Sequence, residues 1–450
     1  MDDTLRIAVE KGMSRTRELL ERHVRIPSIS ADPMHDDDVE ESAMFTRNQL
    51  SEVGFPTTDI LRLEGAHPAV FGSWEAHAGA PTVLLYAHHD VQPIGPADAW
   101  TSDPFEPTER SGRLYGRGSA DDKAGLAMHL GAMSALADHL PVGVKVLVEG
   151  EEEIGSIHLT EFLDRHIEEL RADVIIIGDS GNWREGEPAL TTSLRGLVDC
   201  TVTIRVLEAE VHSGMFGGAV PDALTVLSRL IATFHNPDGS VAVEGLIESQ
   251  AEDLDLTESE LRVQAGMIAG VDFIGKGSLT SRLWRQPAIA VLAINAPRLD
   301  TAVNALVASA SAKISLRIAP GQDPDVALDI LESHIRNNTP WGADVAITRG
   351  SVGKPFELTT SGAAATAMAA AMQDSFGTPA VHMGAGGSIP FVAAFASRYP
   401  EAEILLTGVA DPTSSIHGPN ESVSLGDLHK SVLTEAQALK SLGRAHEERN

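Results

Sequence analysis

His88, His89 and Asp90 stand side by side where the short apolar run Val83–Tyr86 ends. Such a run, bounded by polar residues, predicts a buried strand. Alternate side chains of a strand share a face, so His88 and Asp90 point one way and His89 the other. An imidazole with a carboxylate beside it suits metal binding, because the acid can orient the ring and set its tautomer. Further acids and a histidine stand at four other predicted element ends. Asp121 and Asp122 of GRGSADDK lie in a loop entering a helix, and Glu151, Glu152 and Glu153 of EGEEEIGS follow the strand Val142–Glu149. Asp179 of IIGDSGNW follows the apolar run Asp173–Ile177, and His417 sits in SIHGPNE. Singly, each has a plainer explanation: a strand-end cap, acids at a helix N-terminus, a solvated charge run or a turn. Together, two histidines and several carboxylates each close a separate element of one sheet, where open α/β sheets gather ligands. Adjacent glutamates repel one another unless a cation offsets them. Nitrogen and oxygen ligands without sulfur match a two-zinc site that keeps a water, rather than a closed structural site.

The elements that must position these residues alternate. Residues 4–23 and Glu40–Val53 predict helices, the second stopped by Gly54. Ala69–Ser73 and Val83–Tyr86 predict strands, Gly116–Ser119 a glycine-rich bend, and Gly125–His139 and Leu159–Leu170 further helices. This implies an α/β fold, a largely parallel sheet flanked by helices. Past Ser193 the pattern changes. Strands at Leu197–Val206, Ala288–Ile294, Lys313–Ile318 and Asp344–Thr348, with helices at Pro221–Phe234 and Asp325–Asn337, predict a small α+β sandwich. Residues 236–286 form an acidic, irregular insert with no assignable element. From Lys354 the first pattern resumes, with the helix Ser361–Ser375 and the strand Ile404–Thr407. The expected layout is one α/β domain, residues 1–194 and 353–450, interrupted by a second over 195–352. The polar last dozen residues are expected to fray.

Composition narrows the function classes. A chain of 450 residues is long for one core, so two domains are expected. Its 34 Lys+Arg against 64 Asp+Glu leave a net charge of −30, a field that repels nucleic acid and anionic membranes. The single cysteine, Cys200, excludes an intrachain disulfide and a thiolate cluster. No run approaches the roughly eighteen apolar residues of a membrane helix. The acidic start Met1–Thr4 lacks an apolar signal core, so a cytoplasmic setting is expected.

The set YAHHDVQP, GRGSADDK, EEEIGS, IIGDSGNW, SLRGL, VHSGMFGG and HGPNE runs in order from about residue 80 to 425. It resembles the M20 metallopeptidase family, and most of all its dipeptidase branch with the carnosine-type enzymes; aminoacylases and succinyl-diaminopimelate desuccinylases are related. The resemblance implies a zinc-binding catalytic domain split by a lid or dimerisation domain, and a homodimer. It implies His88 on one zinc, His417 on the other and Asp121 bridging both, with Glu153 and Asp179 as further ligands. Glu152 would be the general base and Asp90 the holder of His88. In the lid, His212 would reach the partner subunit's active site. Arg317, with Ser388 and Gly387 of GGSIP, would bind the substrate carboxylate. Two Zn2+ per chain are implied, with Mn2+ or Co2+ as alternatives. The reaction would be amide hydrolysis of a dipeptide or similar small substrate with a free C-terminal carboxylate.

One departure bears on the substrate. Dipeptidase relatives often carry Arg-Glu directly before GGSIP, the acid facing the substrate's free amine, and here Gly384 and Ala385 stand there. An N-acyl amino acid is therefore the alternative substrate. Other readings fail on context. Gly178–Gly181 spells the GDSG of trypsin-like serine proteases around Ser180, but that fold is an all-β, usually disulfide-bonded barrel. Gly384–Ser388 is glycine-rich like a phosphate loop, yet lacks the lysine and spacing of one. A non-catalytic metal-binding relative should have lost its base, and Glu152 is present.

Overall fold

The computed structural model describes residues 3–75, 79–137, 139–358, 360–387 and 390–447. Two compact units divide the chain. One comprises Met1–Thr192, Leu358–Met383 and Pro390–Asn450, the other Ser193–Glu357 and Gly384–Ile389. The strand expected to stop at Thr348 continues as Asp344–Gly353.

In the first unit, neighbouring strands of the sheet are Thr57–Leu61, Ala69–Trp74, Gly143–Glu149, Thr82–His88, Val174–Ile177, Glu403–Leu406 and Ala189–Leu194. The middle four run parallel, and the pairs outside them are antiparallel. The sheet is thus mixed: parallel at its centre, antiparallel where a short connection such as 62–68 can only reverse the chain. Val83–Ala87 and Ile175–Ile177 are wholly buried, as expected of strands covered on both faces. Because the central strands run together, their C-terminal ends lie along one edge, with His88 paired to Glu149 and Tyr86 to Ile177. That edge positions the chemistry.

Helices Asp3–Val24, Asp36–Val53, Lys123–Leu136, Ala363–Phe376 and Leu425–Glu447 supply the covering layers. The last runs to Glu447 through most of the segment expected to fray, and residues 448–450 lie outside the described residues. Leu428, Val432, Ala436 and Leu439 recur at helical spacing and are buried in the main core, and the polar Ser431, Thr434 and Glu435 between them are buried as well. A three-stranded sheet of Thr108–Arg110, Arg113–Tyr115 and Ser422–Ser424 escaped the periodicity reading because strands of three residues carry too few alternations.

The second unit holds an antiparallel sheet ordered Ala288–Asn295, Ser309–Ile318, Gly196–Arg205, Asp344–Gly353. Val198, Cys200, Val202 and Ile204 alternate onto one face and bury against the helices Ala223–Ala232 and Pro324–Asn338. The acidic insert contains the short helices Glu258–Gln264, opened by a Thr257–Glu260 capping box, and Leu279–Trp284. Among the described residues, no helix is long and apolar enough to cross a membrane.

The packed C-terminal helix makes a direct prediction. Leu439→Ala empties a wholly buried position and should lower the unfolding free energy by about 2–5 kcal/mol, read as a reduced denaturant midpoint. An unchanged midpoint would mean that the helix end is loose.

Candidate active site

His88, Asp90, Asp121, Glu152, Glu153, Asp179 and His417 all belong to the first unit. His88 ends its strand fully buried, with Nε2 3.0 Å from Asp121 Oδ1 and 4.0 Å from Asp179 Oδ1. The other Asp121 oxygen, Oδ2, lies 3.0 Å from His417 Nε2, so one carboxylate faces both imidazoles. Glu153 Oε2 lies 3.1 Å from the same His417 nitrogen. Glu152 converges with His88 and Asp179, their ligand atoms all within 4.8 Å of one another. His417 adopts a left-handed backbone, φ 61°, of the kind that costs a non-glycine residue energy and recurs at functional positions.

Asp90 does more than the sequence reading gave it. His88 Nδ1 is 3.1 Å from the Asp90 backbone oxygen and 3.3 Å from its Oδ1. The same carboxylate accepts from Ser30 Oγ at 2.6 Å and from the backbone N–H groups of Glu152 (3.3 Å) and Glu153 (3.1 Å). It therefore ties the imidazole to the turn that carries both glutamates. Gln92 Nε2 donates to Glu153 Oε2 at 2.9 Å, steadying that side chain. Glu151 turns elsewhere, accepting the N–H groups of His67 and His158. His89 lies buried on the other side with Nε2 donating to the Pro68 carbonyl at 2.9 Å, and burial holds it down at about 4.

The charges are badly placed for one another. Burial pushes Glu152 up to about 7, with repulsion from Glu153, Asp121 and Asp90 adding to it against the pull of His88. Burial likewise lifts Asp179 well above the usual carboxylate range, and raises Glu153. Against the same upward push, hydrogen bonds from His417 and His88 hold Asp121 well below that range. Hydrogen bonds to Asp121 and Glu153 raise His417 to about 10. Crowded oxygens with two imidazole nitrogens and no sulfur are the donor set of a divalent cation, whose charge would offset the repulsion. Distances alone place Glu152 among the possible ligands as readily as Glu153.

The substrate-side candidates lie in the second unit. His212 is exposed, its Nδ1 accepting the Gly214 N–H at 3.0 Å. Arg317 is half-buried on the strand Ser309–Ile318 opposite Leu197, without a carboxylate partner among the described residues. Gly387 follows the strand Val381–Ala385 with open space around its Cα, and Ser388 lies outside the described residues. Arg195, part of SLRGL but given no role by the sequence, is buried with its Nε unpartnered. Burial and the nearby Arg317 charge bring its guanidinium down to about 10.

Residues 84–441 match the family described as Peptidase family M20/M25/M40. A cysteinylglycine-S-conjugate dipeptidase of Corynebacterium striatum is 36% identical over 420 residues, 92% of each chain. A Cys-Gly metallodipeptidase of Schizosaccharomyces pombe is 29% identical over 358 residues, 74% of this chain and 75% of its own. The crystal structure of human carnosine dipeptidase 1 superposes with a TM-score of 0.80 at 21% identity, covering 98% of both chains, and shares the fold.

If the converging side chains hold a cation, zinc added to the chelator-stripped protein should raise its melting temperature by mass action. The gain is about 4 kcal/mol at a thousandfold excess over Kd. Asp121→Asn should lose most of that shift in a thermal unfolding scan. An equal shift in both proteins would sink the assignment.

Proposed function

The chain belongs to peptidase family M20/M25/M40, hydrolases acting on peptide bonds, and from that premise we propose a dipeptidase that uses two zinc ions. The observation carrying this reading is Asp121, whose two oxygens meet His88 and His417 beside Glu152. His88, Asp121 and Asp179 would hold one ion, and His417, Asp121 and Glu153 the other. Bound there, the ions would supply a water of lowered pKa and a Lewis acid for the scissile carbonyl.

The chain's own residues do the rest. Glu152 takes the proton of the attacking water and returns it to the departing amine, a use suited to a half-buried carboxyl among repelling neighbours. Asp90 keeps the His88 ring and the Glu152 backbone in a single arrangement. Arg317 offers a planar fork to the substrate carboxylate, which a lysine would not. His212, reaching from one protomer into the site of its partner, donates to the oxyanion, a contribution worth about 3–4 kcal/mol for one donor. The dipeptidase names of the relatives support a dipeptide substrate. The second reading, an N-acyl amino acid, is favoured by Gly384 and Ala385, which offer no acid to a free amine. Trp284 also fills the space beside Gly384, where a Cβ would meet it at 2.6 Å.

A homodimer through the second unit is part of the proposal. The edge strand Ala288–Asn295 leaves Val291, Leu292 and Ile294 exposed, an apolar edge that a second copy would cover. Leu292→Lys should then sediment as a smaller species than the parent, and a monomeric parent would refute the dimer.

Glu152→Gln tests the mechanism. On whichever of free dipeptides or N-acyl amino acids the zinc-loaded parent prefers, hydrolysis should fall by about a hundredfold or more while bound zinc stays constant. Undiminished hydrolysis would remove Glu152 as base, and activity surviving full chelation would remove the metal mechanism.

A further inference from the structure

Glu421 is fully buried four residues beyond His417. Its Oε2 accepts Arg117 Nη1 at 2.6 Å and the Gly118 N–H at 3.1 Å. Its Oε1 accepts the N–H groups of Ala120 at 2.9 Å and of Asp121 itself at 3.1 Å. Its backbone oxygen accepts the Gly116 N–H at 3.0 Å. Arg117 closes the ring by donating from Nη2 to the carbonyls of Gly418 (3.3 Å) and Pro93 (3.1 Å). One carboxylate and one guanidinium thus stitch together the segments carrying Asp121, His417 and the residues just past His88.

Neither of the two principal segments is regular structure. The pairing of Arg113–Tyr115 with Ser422–Ser424 brings them alongside, but it stops at Tyr115 opposite Ser422. Beyond that point the chain reaches Asp121 through a bend and His417 through a loop with left-handed backbone at Ser415, His417 and Asn420. A buried carboxylate is costly unless its lone pairs are filled, and a surface loop has water as a less costly partner for its N–H groups. Here four donors fill Glu421, one of them the amide of the residue that faces both imidazoles.

We propose that Glu421 is a positioning residue that sets Asp121 against His417 at the separation a shared cation needs, acting through the Asp121 backbone. The inference rests on the reading that Asp121 and His417 hold that cation. Outer partners of this kind change metal affinity by about 10–100-fold when removed.

The test is a zinc titration against a chromophoric chelator on the full chain, with unfolding followed in parallel. Glu403→Gln is the matched control: Glu403 accepts the N–H groups of Ala364 (3.0 Å) and Ala365 (2.7 Å) at the opposite, N-terminal end of the parallel strands. Glu421→Gln should weaken zinc binding by about 10–100-fold, with Glu403→Gln binding like the parent. Parent-like affinity in Glu421→Gln, or an equal loss in Glu403→Gln, overturns the proposal. If Glu421→Gln does not fold, Glu421→Asp, which keeps the charge for Arg117 but draws back from the three N–H groups, takes its place with the same two outcomes. Equal zinc affinity in the parent and Asp121→Asn would instead defeat the metal reading on which the proposal stands.

Discussion

Repulsion between crowded, largely desolvated carboxylates is the constraint around which the first unit is built. Asp121, Asp179, Glu152 and Glu153 converge in a place where burial raises the free energy of every charged oxygen except those that imidazoles hold down. Left to relax, such side chains would swing apart into water. They are prevented from doing so because Asp121, the turn carrying Glu152 and Glu153, and Asp179 enter from different segments, and these are locked by the parallel register of the sheet beneath. The apolar strands Val83–Ala87 and Ile175–Ile177 supply the cohesion, and the acids at their ends exploit it.

Two carboxylates outside that convergence carry the alignment. Asp90 binds an imidazole, a serine and two amides at once, and Glu421 binds a guanidinium and three amides. Both are satisfied by backbone as much as by side chains. A charge that accepts amides can hold a loop in one conformation, whereas an apolar contact tolerates sliding. Buried ionic groups of this kind are weak contributors to stability, and their value here is orientation.

Much of the convergence was legible in the sequence because its residues sit at element ends inside long, ordered motifs: His88 after VLLYA, Asp121 before a helix, Asp179 after VIII. The strand period alone assigned His88 and His89 to opposite sides, and they lie so. Glu421 was invisible as a functional residue because its partners are amides some three hundred positions away, and an amide has no residue type to read. Arg195 went without a role for a related reason, since its burial depends on packing around Gln286 and Arg282. The last dozen residues read as a fray because they are polar, yet the helix that begins at Leu425 continues through them to Glu447. The central sheet's antiparallel margins depend on which strands meet, and local pattern does not encode that.

The separation between Asp121 and Glu421 in the chain has a consequence for biosynthesis. When Asp121 leaves the ribosome, the strand Glu403–Leu406, His417 and Glu421 have not yet been translated. The segment Ser193–Glu357 is contiguous, so it can fold while the earlier half waits with its apolar strands incompletely covered. His417 and Glu421 therefore join the acids only with the final tenth of the polypeptide. A product truncated before Glu403 would carry His88 and all four acids but neither His417 nor the Glu421 carboxylate that accepts the Asp121 amide.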